Sequence, residues 1–397
     1  MRKERPEHGS TRGEVRNQKD LQVLKKKAPL LIATIMILTA AFCGLFAFHS
    51  QPMNVEAGAT SSSWDGLPAA GFSGGNGTPG APYQISTAGE LKYLSNLVYS
   101  DSGYRSACYE LTQDIELNDL TLVNVWSEGL APQNKWTPIG TTAARCFSGT
   151  FNGNGHVISG IYISTDTSNQ GLFGYVSGGS ILNVSVEQSY VRGGDYYVGG
   201  IVGYANLGST IAGCYNAGQI TGGSRIGGIA GQVTGQQVAG QVLNGCVVTG
   251  CYNTGTISGS GNYVGGVAGQ ALDGSVITLC YNTGTISGSD SVGGVAGLVN
   301  VSSGVINSYN AGTISGNSNV GGVVGQLNNL AFMINSYNTG SVSGSAPTNA
   351  YAGGVVGNMI TSNVTNCYNT AQVTGSIRGS LIGRISGGSI SYYYIES

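Results

Sequence analysis

A double-glycine element returns through the second half of the chain at an almost fixed interval, and this periodicity constrains the fold more than any other feature. It reads Val198-Gly199-Gly200-Ile201-Val202-Gly203 and recurs at Gly227, Gly265, Gly293, Gly321 and Gly353, with weaker copies at Gly171 and Gly379. The steps are 28, 28, 38, 28, 28, 32 and 26 residues, the longest holding an insertion near 236–244. A second element alternates with the first. It reads Cys251-Tyr252-Asn253-Thr254-Gly255-Thr256-Ile257-Ser258-Gly259 and recurs around Tyr215, Tyr281, Tyr309, Tyr337 and Tyr368. Repetition on this scale is the signature of a unit that buries its apolar face only by stacking on its neighbours.

Each unit offers three short apolar stretches, in one copy 292–296, 305–309 and 313–315. They are too short for helices, and 67 glycines in 397 residues oppose helix further. Three short strands joined by glycine corners make one coil. The expected class is therefore all-β, a parallel β-helix of coils of about 28 residues. At about 4.8 Å per coil, eight glycine elements give a rod of roughly 38 Å. The columns of such a stack are chemically consistent. Ile211, Val248, Ile277, Val305, Met333 and Val364, each four residues before a Tyr, form an interior aliphatic ladder. Cys214, Cys251, Cys280, Ser308, Ser336 and Cys367 directly precede the Tyr, an interchange that asks for small and buried rather than reactive. Asn216, Asn253, Asn282, Asn310, Asn338 and Asn369 follow it as a structural ladder whose amides bond from coil to coil.

Charge divides the chain. Residues 1–27 hold nine Lys/Arg against four acids, whereas from Gly58 onward eight basic residues face fourteen acidic ones. A surface that tracks phosphates needs clustered cations, so nucleic acid is excluded as a partner. Lys25-Lys26-Lys27 precedes an uncharged apolar run, 28–48, long enough to cross a bilayer. The positive flank stays inside and directs the remainder outward, either from a membrane anchor or after cleavage near Ala57 or Ala59. The expected organisation is a basic cytoplasmic segment (1–27), the export or anchor helix (28–48), a flexible Gly/Ser-rich linker (49–80), a cap with the first coils (81–170) and the repeat solenoid (171–397). Within the cap, Leu91, Leu94, Leu97 and Val98 fall at helical spacing over 87–99, and Thr87 with Glu90 forms a capping box. A short helix there covers the open end of the first coil.

No catalytic residue, metal-ligand set or cofactor site is read from the sequence. Glycoside hydrolysis needs two carboxyl groups about 5–9.5 Å apart, yet the acids after Gly171 (Glu187, Asp195, Asp273, Asp290 and Glu396) fall at different phases of the repeat. Asp114, Glu116 and Asp119 lie closer together and read as a solvated strand face, with a Ca²⁺ site as the alternative. His156 is the one histidine after position 49, which leaves a triad or zinc site without partners. The column cysteines read as free thiols. Cys108 and Cys146 each precede an aromatic residue, Tyr109 and Phe147; if those share a column, the two cysteines form a disulfide.

The Gly-Gly-Val-Ala-Gly and Cys-Tyr-Asn-Thr-Gly-Thr-Ile-Ser-Gly elements resemble the GLUG motif of bacterial surface proteins. The lead-in is also similar, with Trp136-Thr137-Pro138-Ile139-Gly140 and Phe147-Ser148-Gly149-Thr150-Phe151-Asn152-Gly153-Asn154-Gly155-His156; together these cover roughly residues 80–390. The family includes the non-catalytic region of immunoglobulin A-cleaving zinc metallopeptidases. The resemblance implies a right-handed parallel β-helix outside the cell, acting without catalysis in adhesion to a glycan or an extracellular protein. No His-Glu-x-x-His is present, so peptidase activity does not carry over. The column Tyr215, Tyr252, Tyr281, Tyr309, Tyr337 and Tyr368 then has two readings. It is an exposed aromatic strip for a ligand, or a set of rings that stack on one another in a passive spacer.

Overall fold

The structure, a computed structural model, describes residues 64–239 and 241–395. The basic segment and the apolar run 28–48 lie outside these residues; among the described helices none is long and apolar enough to cross a membrane. The chain winds as a parallel β-solenoid. One interior column can be followed by strand register through every coil: Tyr83, Tyr109, Phe151, Ile181, Ile211, Val248, Ile277, Val305, Met333, Val364 and Ile390, eleven rungs. The aliphatic ladder expected from the repeat is the later part of this column, and its members from Ile211 to Val364 are fully buried. Two further sheets close the coil. One stacks Ile163, Val191, Ile220, Ile257, Ile286, Ile314 and Val342; the other stacks Val198, Ile226, Val264, Val292, Val320 and Ala352. Burying one such Val or Ile is worth about 1.5–3 kcal/mol, so three continuous columns supply the driving force that no single coil could.

The six coils between Phe173 and Gly353 each have five short strands where the sequence suggested three, whereas the next coil runs Val356–Asn369 as one strand. The stretch 292–296 splits into Asp290–Gly293 and Ala296–Val299, and 305–309 splits into Gly304–Ile306 and Tyr309–Asn310. The second break is a left-handed corner at Asn307 (φ 48). The equivalent corners are Asn183, Gly213, Gly250, Asn335 and Asn366, residue types that tolerate this conformation, and Leu279 (φ 55), which does not. Asn335 and Asn366 also link these corners, each Nδ2 donating to the Oδ1 of the coil before at 3.1 and 2.8 Å. Leu279 is 42% exposed and loses little burial on replacement. Leu279→Asn is therefore expected to stabilise the fold by about 1 kcal/mol, seen as a higher urea midpoint; a lower midpoint would contradict the strain argument.

The cap holds the expected helix, Ala88–Ser100, with its capping box intact. Glu90 N–H donates to Thr87 Oγ1, and the Glu90 carboxylate accepts from the Thr87 N–H. Its buried residues Leu91, Leu94 and Val98 join the solenoid core. The linker ends earlier than its composition suggested. From Trp64 onward the Gly/Ser-rich segment is part of the fold: Phe72 stacks on Tyr83 with centroids 4.6 Å apart, Gly74 bridges to Gln84, and the Trp64 carbonyl accepts from Asn134. Two aromatic side chains anchor a stretch that glycine and serine content alone marks as flexible.

Candidate functional site

The two repeat elements meet inside the coil. Asn216, Asn253, Asn282, Asn310 and Asn338 are fully buried and Asn369 nearly so. From Asn216 to Asn338 each Nδ2 donates to the Oδ1 of the asparagine one coil on, at 2.7, 2.8, 2.8, 2.7 and 2.7 Å along the series. The second proton of each amide goes to the carbonyl two residues on, from Gly218 to Ala371. Oδ1 in turn accepts the N–H of Gly218, Gly284, Gly312, Gly340 and Ala371. From Asn216 to Asn338 both amide protons are satisfied, which is the condition for a buried polar ladder to stabilise rather than cost. Space for it comes from the second glycine of the other element. A Cβ on Gly266 would lie 2.6 Å from Asn282 Cγ, and Gly228, Gly294, Gly322 and Gly354 face Asn253, Asn310, Asn338 and Asn369 in the same way.

The neighbouring columns are equally structural. In the Cys/Ser column the N–H of Cys214 donates to Cys251 Sγ, that of Cys251 to Cys280 Sγ, that of Cys280 to Ser308 Oγ and that of Ser308 to Ser336 Oγ. Each Sγ–H or Oγ–H also donates to the carbonyl two residues back, for example Ser308 to Ile306 at 2.8 Å. Sulfur and hydroxyl interchange because both do this work. Burial pushes the Cys214 and Cys251 thiols well above the ordinary range and Cys367 up to about 11, so these groups are poor nucleophiles.

The tyrosines stack on one another. From Tyr215 to Tyr368 successive ring centroids are 4.4, 4.7, 4.9, 5.0 and 4.9 Å apart, with interplanar angles falling from 22° to 3°. Both faces of the four inner rings, Tyr252 to Tyr337, are spent within the ladder, and all six side chains are half-buried. Partial burial and the neighbouring tyrosines raise the Tyr281 hydroxyl to about 12; Tyr252 and Tyr337 move the same way. The folded state thus keeps protons that the unfolded chain releases above about pH 10. The ladder's contribution is complete below pH 10 and is lost as pH rises through about 12. Tyrosinate absorbance of the native protein should lag that of the urea-unfolded chain across this window; coincident titrations would contradict it.

Cys108 and Cys146 are both free, and the disulfide suggested by their sequence context is not formed. Register explains the correction. Cys108 pairs with Thr150 and Tyr109 with Phe151, whereas Phe147 bridges to Val176 in a different column. Asp114 accepts from His156 Nδ1 and the Val157 N–H, both at 3.0 Å, and Asp119 accepts the Thr121 N–H. Among the described residues no group of three or more His, Cys, Asp and Glu could hold a metal ion.

One cluster was not singled out by sequence. Arg225 lies over the rings of Tyr196, Tyr197 and Tyr263, with Cζ 4.5, 5.3 and 6.0 Å from their centroids. Its signal was available, because Tyr197, Arg225 and Tyr263 each stand just before the Val/Ile of the double-glycine element, at the repeat spacing.

No family model matches the chain. Halomucin of Haloquadratum walsbyi is 33% identical over 161 residues, which is 40% of this chain and 2% of that protein. A "putative Gly-rich membrane protein" of Evansella cellulosilytica is 35% identical over 176 residues, 43% of this chain and 18% of that protein. The matched part is thus less than a fifth of either relative. Among solved structures, a "putative immunoglobulin A1 protease" from Bacteroides ovatus superposes with a TM-score of 0.52 at 19% identity, covering 81% of this chain and 86% of that one. At that identity the likeness concerns the fold, and it agrees with the β-helix that the GLUG resemblance implies.

Proposed function

We propose that the chain is an exported, GLUG-type solenoid of the cell surface that acts non-enzymatically, in adhesion or surface interaction with a glycan or an extracellular protein. The observation that carries this reading is the stack itself. Repeated coils devote their polar interior to holding the rod together and stack their outer side chains in continuous rows, a geometry suited to extended contact. The names of the two relatives, a halomucin and a Gly-rich membrane protein, support a place in the envelope. A second reading, the passive spacer, is favoured by the face-to-face tyrosines, whose stacking leaves no open ring platform along the ladder.

The test uses cells producing the full chain. Surface exposure is scored by antibody labelling of intact cells, and binding by adhesion to immobilised glycans and matrix proteins. Exposure with reproducible binding to one ligand class supports the interaction reading. Exposure without binding supports the spacer, and no exposure removes both. Tyr281→Ala should lower thermal stability and leave binding unchanged, because its ring faces already serve the ladder.

A further inference from the structure

The cluster around Arg225 places bulky side chains at corners whose backbone favours small ones. Tyr197, Arg225 and Tyr263 adopt left-handed backbone conformations, with φ of 64°, 59° and 66°. They immediately precede Val198, Ile226 and Val264, which stack in register on successive coils. In the flanking coils this column holds Asn169, Ser291 and Asn319, smaller residues for the same left-handed backbone. Bulky side chains are disfavoured there, and strain of this kind concentrates where a side chain serves a ligand. Three in a row bring one guanidinium and two phenol rings together; Tyr196, beside Tyr197, adds a third ring under the guanidinium, and a fourth, Tyr204, meets Tyr197 edge-on at 5.0 Å.

The guanidinium is fixed and unneutralised. Nε donates to Gln270 Oε1 at 2.9 Å, an oxygen on a side chain only 4% exposed. Arg192, by contrast, pairs with Asp166 at 2.9 Å and Glu128 at 3.4 Å; among the described residues Arg225 has no such carboxylate partner. Beside it Tyr196 is 44% exposed. A guanidinium oriented by aromatic rings offers its remaining N–H edge to a carboxylate, while phenol rings take the apolar face of a sugar. Polyanions read by charge density need several clustered cations; one cation framed by rings suits a carboxylate carried on a sugar ring.

We infer that Arg225, with Tyr196, Tyr197 and Tyr263, forms a binding site for an acidic polysaccharide, one uronate carboxylate seated on the guanidinium and its ring on the tyrosines. This deepens the surface-interaction reading and rests on it. The purified full-length chain in detergent is tested by biolayer interferometry against alginate, with dextran and poly-L-glutamate as the uncharged and the non-sugar controls. Alginate should bind, and each control should bind at least about tenfold more weakly. Arg225→Asn should weaken alginate binding about tenfold or more. Tyr196→Ala, at an exposed ring, should weaken it several-fold with Tm within about 2 °C of the parent. No binding to alginate, equal binding to poly-L-glutamate, or full binding by both variants would overturn the site. Surface labelling of cells carrying the full chain is scored separately, so loss of this site with display intact leaves the proposed function standing.

Discussion

Asn310→Leu is expected to cost about 4 kcal/mol of unfolding free energy, although the position is fully buried and leucine is the more hydrophobic residue. The substitution leaves the Asn282 amide without its acceptor, the Asn338 oxygen of the next link without its place in the chain of amides, and both the N–H and the carbonyl of Gly312 unpaired. Each orphaned buried group costs about 1–3 kcal/mol, more than the transfer gain of one aliphatic side chain returns. Leucine also branches toward Gly294, which faces Asn310 at close range. Urea unfolding of the parent and the variant measures the difference directly. A loss below about 1 kcal/mol would mean that the ladder is ornamental to stability.

Gly294→Ala is expected to be worse. Its Cβ would fall inside contact distance of the Gly322 carbonyl oxygen and of Asn310 Cγ, and neither is the tip of a flexible side chain. The two coils must separate or the asparagine must leave its slot, so we expect a loss above about 4 kcal/mol or failure to accumulate folded protein. Gly80→Ala is the matched control: nothing lies within 4 Å of the added carbon, and stability should stay within about 0.5 kcal/mol of the parent. Equal behaviour of the two alanines, scored by soluble yield and urea midpoint, would contradict the keyed packing of glycine against asparagine.

These two residues also show what the sequence makes legible. The glycine pair and the asparagine are spaced by the period of the coil, so their columns, the aliphatic ladder and the Tyr stack could all be written down from the repeat. That Gly294 and Asn310 face each other could not, since it depends on how sharply the coil turns at Asn307 and at the glycine pair. The same corners divide three apolar stretches into five strands. Local composition misled twice. Glycine and serine around Phe72 suggested a linker, but Trp64 and Phe72, both packed on the core, outweigh them. Cys108 and Cys146 looked equivalent because each precedes an aromatic, yet register belongs to whole coils, and the irregular cap coil puts Phe151 opposite Tyr109. Arg225 was missed for the opposite reason. Its column changes residue type from coil to coil, so periodicity marks the position without showing that a guanidinium and three rings converge there.

Buried asparagine amides link the coils of the solenoid into one body. Hydrogen exchange of the side-chain amides of Asn216, Asn253, Asn282, Asn310 and Asn338, followed by NMR after transfer to deuterated buffer, tests this most directly. The Nδ2 protons should exchange only through large-scale unfolding, protected to the same degree as the backbone of the interior strands. Exchange at the rate of a solvent-exposed asparagine would show instead that the ladder is open and does not join the coils.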